Sequence, residues 1–153
     1  MPAWVEIAAT DVDSASGLAW TVGRDLKQRD EANADQVFQV EYTEQLTGST
    51  GYVTAVTRRV KVPSSAKTLR GTVELRTTNA AHTATLKGTL SATDSDEQTT
   101  VSASYVDKTI TWTDISALAG TEVDLLIKIK ISDGASQART QSVNRVLFRW
   151  GRD

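Results

Sequence analysis

The stretch Thr109–Ser132, TITWTDISALAGTEVDLLIKIKIS, decides the fold, because it contains a short strand, a tight turn and a long strand. In the short strand Ile110 and Trp112 alternate with threonines. Gly120 closes the turn, where a positive φ is often required. The long strand places five aliphatic residues on one face, namely Val123, Leu125, Ile127, Ile129 and Ile131. This period of two predicts two antiparallel strands that each bury one face.

The same alternation extends through most of the chain. Residues 99–106 place Val101, Ala103 and Tyr105 on one face, after a polar loop at residues 93–98. With two short strands near the N-terminus, about ten strands are predicted and no long helix. Besides those of the opening stretch, the longer ones are expected at residues 37–46, 52–62, 68–78, 83–92, 99–106 and 140–150.

Many short strands joined by Gly, Ser, Asp and Pro turns are typical of an all-β protein. We therefore predict an antiparallel two-sheet β-sandwich, with jelly-roll strand order as the first choice. The last predicted strand sends Val146, Phe148 and Trp150 to one face. Trp112 and Trp150 are accordingly expected in the core.

The N-terminal segment, residues 1–36, differs from the rest of the chain. Residues 23–36 are dense in charge and poor in aliphatic side chains, while Trp4 and Trp20 lie in short segments before them. Such a segment buries too little apolar surface to offset its own ordering entropy. We predict that residues 1–36 are an arm or cover and that residues 37–153 are the sandwich domain.

Composition excludes several classes of function. The 153 residues are 39% hydrophobic and 24% charged, which fits one soluble domain, and the net charge of −2 provides no basic field for nucleic acid. The absence of cysteine excludes disulfides and thiolate chemistry. No apolar run is long enough to span a bilayer, and the N-terminus does not resemble a signal peptide. We therefore expect no membrane insertion and synthesis in the cytoplasm.

Residues capable of catalysis or metal binding are few. His82 is the only histidine, so Ser-His-Asp catalysis and the usual zinc sites lack supporting members. Asp94, Asp96 and Glu97 are closely spaced oxygen donors, but they do not follow the calcium-loop pattern, and a solvated turn is the preferred interpretation. We predict a protein that is not an enzyme and has no cofactor or metal.

Several side chains are candidates for a partner surface. Five basic residues lie close together in sequence, but strand alternation sends Arg58 and Arg59 to opposite faces and so breaks a nucleic-acid stripe. Arginine and tryptophan are favoured interface anchors. The basic group is Arg58, Arg59, Lys61, Lys67 and Arg70, and the interface candidates are Trp4, Trp20, Arg145, Arg149 and Trp150.

The C-terminal part of the chain resembles a known family of domains. Residues 110–150 contain W-x-D-I-S-x-L-x-G-T-x-V, a long aliphatic strand, a D-G loop and a final V-x-F-x-W strand. This arrangement resembles the C-terminal half of galactose-binding-like and carbohydrate-binding jelly-rolls. An earlier pair, Val60-Lys-Val-Pro63 with residues 68–75, is similar to a strand pair of those modules. The same fold recurs in phage and other viral decoration and tail proteins.

The resemblance implies two alternative functions. The first is a non-catalytic virion component, such as a capsid decoration or tail protein, that binds further copies of itself and other virion proteins. The second is a carbohydrate-binding module, with Trp4 or Trp20 stacking on a sugar. A sugar-binding domain is normally exported with a signal peptide, whereas virion assembly in the host cytoplasm requires none. The assembly function and a location in the virion are therefore the preferred prediction.

Overall fold

Eleven strands form two antiparallel sheets in the computed structural model, which describes residues 37–143 and 147–152. The predicted strands and the N-terminal arm within residues 1–36, together with Arg145 and Val146, lie outside the described residues. The strands are β1 (Val37–Gln39), β2 (Tyr42–Thr47), β3 (Val53–Lys61), β4 (Thr68–Thr77), β5 (Ala84–Leu90), β6 (Thr93–Asp94), β7 (Gln98–Thr100), β8 (Val106–Trp112), β9 (Glu122–Ile131), β10 (Ala138–Ser142) and β11 (Leu147–Gly151).

The pairing of the strands gives jelly-roll order. In the first sheet β8 pairs with one edge of β4, while β10 and β11 share the other edge and pair in turn with β2 and β1. In the second sheet the order is β3, β9, β5, and β5 then pairs with both β6 and β7. Three pairs of short strands (β1 with β2, β6 with β7, β10 with β11) therefore each act as one interrupted strand. The resulting eight strands form two four-stranded sheets, which confirms the predicted β-sandwich.

The core lies between the two sheets and follows the predicted alternation. Leu125, Ile127, Ile129 and Ile131 of β9 are buried, and Val123 packs against them. The predicted core positions in the other sheet are also buried, including Ile110, Trp112, Phe148 and Trp150. Each fully buried side chain of this size contributes roughly 1.5–3 kcal/mol to folding, so this alternation supplies most of the driving force.

The turn between β8 and β9 also forms as predicted. A short 3-10 helix, Ser116–Leu118, fills the loop, and Gly120 has a φ of 80°. Gly120 donates its backbone N–H to the carbonyl of Val62 at 2.9 Å. The left-handed conformation of Gly120 thus allows this loop to hydrogen-bond to Val62, in the segment between β3 and β4.

One predicted strand, residues 99–106, is wrong. The ladder of β7 ends at Thr100, and Val101 is 52% exposed rather than facing the core. The Thr100 hydroxyl accepts the backbone N–H of Ser102 at 3.1 Å, and the Ser102 hydroxyl accepts that of Ser104 at 3.1 Å. These local bonds replace ladder bonds, since Ser and Thr side chains compete for backbone donors. Conversely, Thr93–Asp94 forms a strand where a loop is predicted.

The last predicted strand, residues 140–150, consists of two strands. Both β10 and β11 pair with β4, but their registers differ: Gln141 lies opposite Glu74, and Phe148 lies opposite Gly71. Phe148 lies seven residues after Gln141, whereas their partners Gly71 and Glu74 are only three residues apart. The registers of β10 and β11 against β4 are therefore offset by four residues. Because four is even, inward-facing and outward-facing positions keep the same phase on both sides.

Candidate functional site

His82, the histidine considered for catalysis, lies against Asp133 in a neighbouring loop. The His82 Nε2 lies 3.3 Å from Asp133 Oδ2, and the Asp133 carboxylate also accepts the Ser136 backbone N–H and hydroxyl. The carboxylate therefore lies between the histidine and the serine, whereas hydrolytic triads require the histidine in the middle. This arrangement joins the loop of His82 to the loop of Asp133 and Ser136.

The three carboxylates of the acidic loop each bind a different partner. Asp94 accepts Lys87 Nζ at 2.6 Å, and this hydrogen bond lowers the pKa of Asp94. Asp96 Oδ1 accepts the backbone N–H of Thr111 at 2.6 Å. Glu97 accepts the hydroxyl of a tyrosine, Tyr52, at 2.6 Å. Within residues 37–143 and 147–152 no group of three or more acidic or histidine side chains is placed to hold a metal ion.

Glu44 on β2 holds a polar cluster on the outer face of the first sheet. Its carboxylate accepts Arg139 Nη1 at 2.8 Å, Arg76 Nη2 at 3.3 Å and the hydroxyl of Tyr105. The Arg76 guanidinium also lies over the Tyr105 ring, 5.1 Å from its centre. The hydrogen bond from Tyr105, with the two arginines, lowers the pKa of Glu44. One carboxylate thus links the edge strand β2 to β10, β4 and the segment before β8.

Replacing Glu44 by glutamine should reduce stability at neutral pH but much less in acid. A lowered folded-state pKa means that the ionised carboxylate stabilises the fold above the ordinary pKa of glutamate. This stabilisation is lost as the pH falls through the folded-state pKa. At pH 7 we expect a loss on the order of 1 kcal/mol, since the group is partly exposed and screened. Urea unfolding of both proteins from pH 7 to pH 3 measures this, and an equal difference at every pH would contradict it.

A cleft at the opposite end of the same outer face has a different charge pattern. The cross-strand row runs Thr111, Arg70, Arg149 and Val37, on β8, β4, β11 and β1 in that order. Both arginines are exposed and lie directly opposite each other. The arginine cleft has a volume of about 400 Å³ and is lined by Thr68, Arg70, Thr111, Thr113, Arg149, Trp150 and Gly151.

Neither arginine of the cleft forms an ion pair with a carboxylate of the described residues. A second pair of like charges, Lys87 and Lys128, lies opposite across β5 and β9. There, however, Asp94 binds Lys87 at 2.6 Å and compensates the charge. The arginine cleft therefore combines two guanidinium groups that no carboxylate of residues 37–143 and 147–152 pairs with, and three threonines.

The predicted interface residues have separate outcomes. Arg149 lies in the arginine cleft, whereas Trp150 is 6% exposed and packs its ring against Phe38 at 5.3 Å. Trp4, Trp20 and Arg145 lie outside the described residues. Sequence reasoning missed Arg70 as the partner of Arg149, because only the pairing of β4 with β11 brings them together. The positions of the two strands in the sequence do not indicate that they are neighbours in the sheet.

The fold and the cleft define a jelly-roll protein with a positively charged surface cleft. No family model and no curated protein sequence matches the chain. Among solved structures, one titled "Structure of infectious bursal disease virus Gt strain" aligns with a TM-score of 0.40 and 8% identity over 75% of this chain and 42% of that chain. A structure of the Gx strain of the same virus aligns with a TM-score of 0.35 and 12% identity over 76% of this chain.

The chain spans 42% and 34% of the length of those two chains. Within residues 37–143 and 147–152 no helix is long and apolar enough to cross a membrane.

Proposed function

We propose that this protein is a non-catalytic structural protein that assembles with other protein subunits in a virus particle, as a capsid decoration or tail component. Jelly-rolls occur in viral capsid domains and in lectins, so the fold admits this function without selecting it. The arginine cleft supplies the reason to prefer binding to another protein. The protein would be synthesised in the host cytoplasm, and its final location would be the virion.

The observation that carries the proposal is the pairing of Arg70 with Arg149 on an exposed face. Like charges directly opposite on neighbouring strands destabilise a sheet. Their presence without a carboxylate among the described residues is accounted for if a partner supplies the counter-charge. Arginine is also among the residues that dominate the binding energy of protein interfaces. The cleft offers no nucleophile activated by a base, so binding rather than catalysis is the function that it supports.

The aromatic side chains of the sandwich favour a protein partner over a sugar. Trp112 and Trp150 are buried. The ammonium groups of Lys87 and Lys130 lie 4.6 and 4.4 Å from the centre of the Tyr52 ring. Tyr105 is covered in the same way by a guanidinium. Stacking on a sugar requires an open aromatic face, whereas both of these tryptophans are buried and cations lie over both tyrosine rings.

We further propose that residues 1–36 are an arm or cover that contacts another copy or the particle. The described strands complete all eight positions of the jelly-roll from Val37 onward, so the sandwich does not need this segment for its topology. Trp4 and Trp20 would supply the contact. Burying one tryptophan contributes on the order of 2–4 kcal/mol, enough to shift an assembly equilibrium.

A chain that begins at Asp35 should therefore fold but lose assembly. We expect an unchanged far-ultraviolet circular dichroism spectrum, because every strand of the sandwich is retained. Sedimentation velocity should show loss of the oligomer or of attachment to the particle. The full-length chain with Trp4→Ala and Trp20→Ala is the matched control for the tryptophan contacts. Unfolding of the truncated chain would instead mean that residues 1–36 contribute strands to the sandwich.

The proposed location is tested on intact particles. Virions purified from the source of the sequence should contain the chain in a fixed ratio to the major capsid or tail protein, measured by quantitative mass spectrometry. Density for the sandwich on the particle surface by electron cryomicroscopy would identify its neighbours. Absence of the chain from purified particles, together with selective binding of one glycan on an array, would favour the carbohydrate-binding function.

A further inference from the structure

We infer that the arginine cleft binds a carboxylate-bearing segment of a partner protein, an inference that rests on the proposed assembly function and names the chemistry of its contact. The occupant is a short acidic stretch whose Asp or Glu side chain inserts between Arg70 and Arg149. The register of β4 with β11 places the two arginines opposite each other, and both line the cleft.

The geometry of the arginine pair suits a carboxylate. Side chains directly opposite on neighbouring strands have Cβ atoms about 4.5–5.5 Å apart, so two guanidinium groups can reach one bound anion. Each guanidinium is a planar fork that donates two parallel hydrogen bonds to the two oxygens of a carboxylate.

The wall of the cleft favours a peptide over a free inorganic anion. Threonine side chains carry a methyl group beside the hydroxyl, and three threonines line the cleft together with Trp150 and Gly151. A cleft of about 400 Å³ is large enough for an acidic side chain with part of its neighbours. A hydrated phosphate or sulfate would leave the apolar part of this wall without contacts.

The like-charge pair gives the inference a signature that a purely structural role would not show. In the free protein Arg70 and Arg149 repel each other, so Arg149→Glu should create a cross-strand ion pair with Arg70. We expect this variant to raise the Tm by about 1–3 °C. The same variant should abolish binding of an acidic peptide. A residue that serves the fold alone would lose stability when its charge is reversed.

The experiment titrates the full-length chain with an acetylated hexaglutamate peptide and follows binding by isothermal titration calorimetry at low ionic strength. Arg70→Ala and Arg149→Ala should each weaken binding about tenfold or more. Arg149→Lys should weaken it several-fold, because the charge stays but the fork is lost. Lys128→Glu is the matched control, since it makes the same charge change on the other sheet within a like-charge pair. It should alter the affinity by no more than about twofold.

Two further titrations test whether the bound anion is a protein carboxylate or a sulfate group. Inorganic sulfate and a sulfated oligosaccharide are titrated under the same conditions. Tight binding of the sulfated probe with none of hexaglutamate would overturn the carboxylate assignment but leave the cleft as a binding site. Equal weakening by Lys128→Glu and Arg149→Glu would overturn the cleft itself. Particle attachment that survives Arg149→Glu while hexaglutamate binding is lost would place the assembly contact elsewhere, which separates the two proposals.

Discussion

Replacing Gly88 by alanine is expected to lower the free energy of unfolding by about 3 kcal/mol, at the upper end of the usual range for overpacked cores. Gly88 lies in β5 in the interior, and the Cζ2 and Cη2 atoms of Trp112 occupy the space that a Cβ of residue 88 would take. Hydrogen bonds restrict the movement of both the Trp112 ring and the Gly88 backbone. The Trp112 Nε1–H donates to the Thr93 carbonyl at 2.9 Å, which fixes the ring. Ser95 binds both the N–H and the carbonyl of Gly88 at 2.9 Å.

A double-mutant cycle checks this cause by urea unfolding. Trp112→Phe removes the two ring atoms nearest to the new methyl, so Gly88→Ala should be less destabilising in the Trp112→Phe background than in the original protein. Gly134→Ala is the control, because no atom of the described residues lies within 4 Å of the corresponding Cβ position. If Gly88→Ala lowers stability equally in both backgrounds, the ring of Trp112 is not responsible.

Replacing Phe148 by alanine should lower the free energy of unfolding by about 3–5 kcal/mol. The side chain is fully buried, and its ring centre lies 5.4 Å from that of Phe38 and 6.5 Å from that of Trp112. The ring also covers Gly71, its partner across β4, so close that no Cβ fits there. Its removal therefore opens a cavity between the two sheets that the backbone cannot close.

The glycine beneath the ring provides the test of this argument. Gly71→Ala alone should destabilise, because the ring occupies the site of the new methyl group. In the Phe148→Ala background the same change should be neutral or stabilising, since the methyl then fills part of the cavity. Thermal unfolding followed by near-ultraviolet circular dichroism measures both. A loss below about 1 kcal/mol for Phe148→Ala would show that the core around β11 is loosely packed.

Strand positions and buried faces could be predicted because the period of two is a local property. Residues such as Ile127 and Ile129 reveal their face wherever the strand pairs, and the core confirms them. Interruptions of a strand are less visible. The four surplus residues between β10 and β11 preserve the phase, so the sequence of residues 140–150 is indistinguishable from that of one strand. At Val101 the sequence still alternates between apolar and polar residues. The strand has nevertheless ended, because the backbone N–H of Ser102 binds the Thr100 hydroxyl instead of a neighbouring strand.

The sequence by itself determined the all-β class, the core residues and the turn at Gly120, because these follow from alternation and backbone preference within short segments. It also named Arg149 as a partner-binding candidate. Only the tertiary structure decided that Arg70 is the neighbour of Arg149 and that Glu44 binds two arginines. The physical reason is that strands distant in sequence become neighbours through the jelly-roll pairing, and the alternation along one strand does not depend on which strand lies beside it.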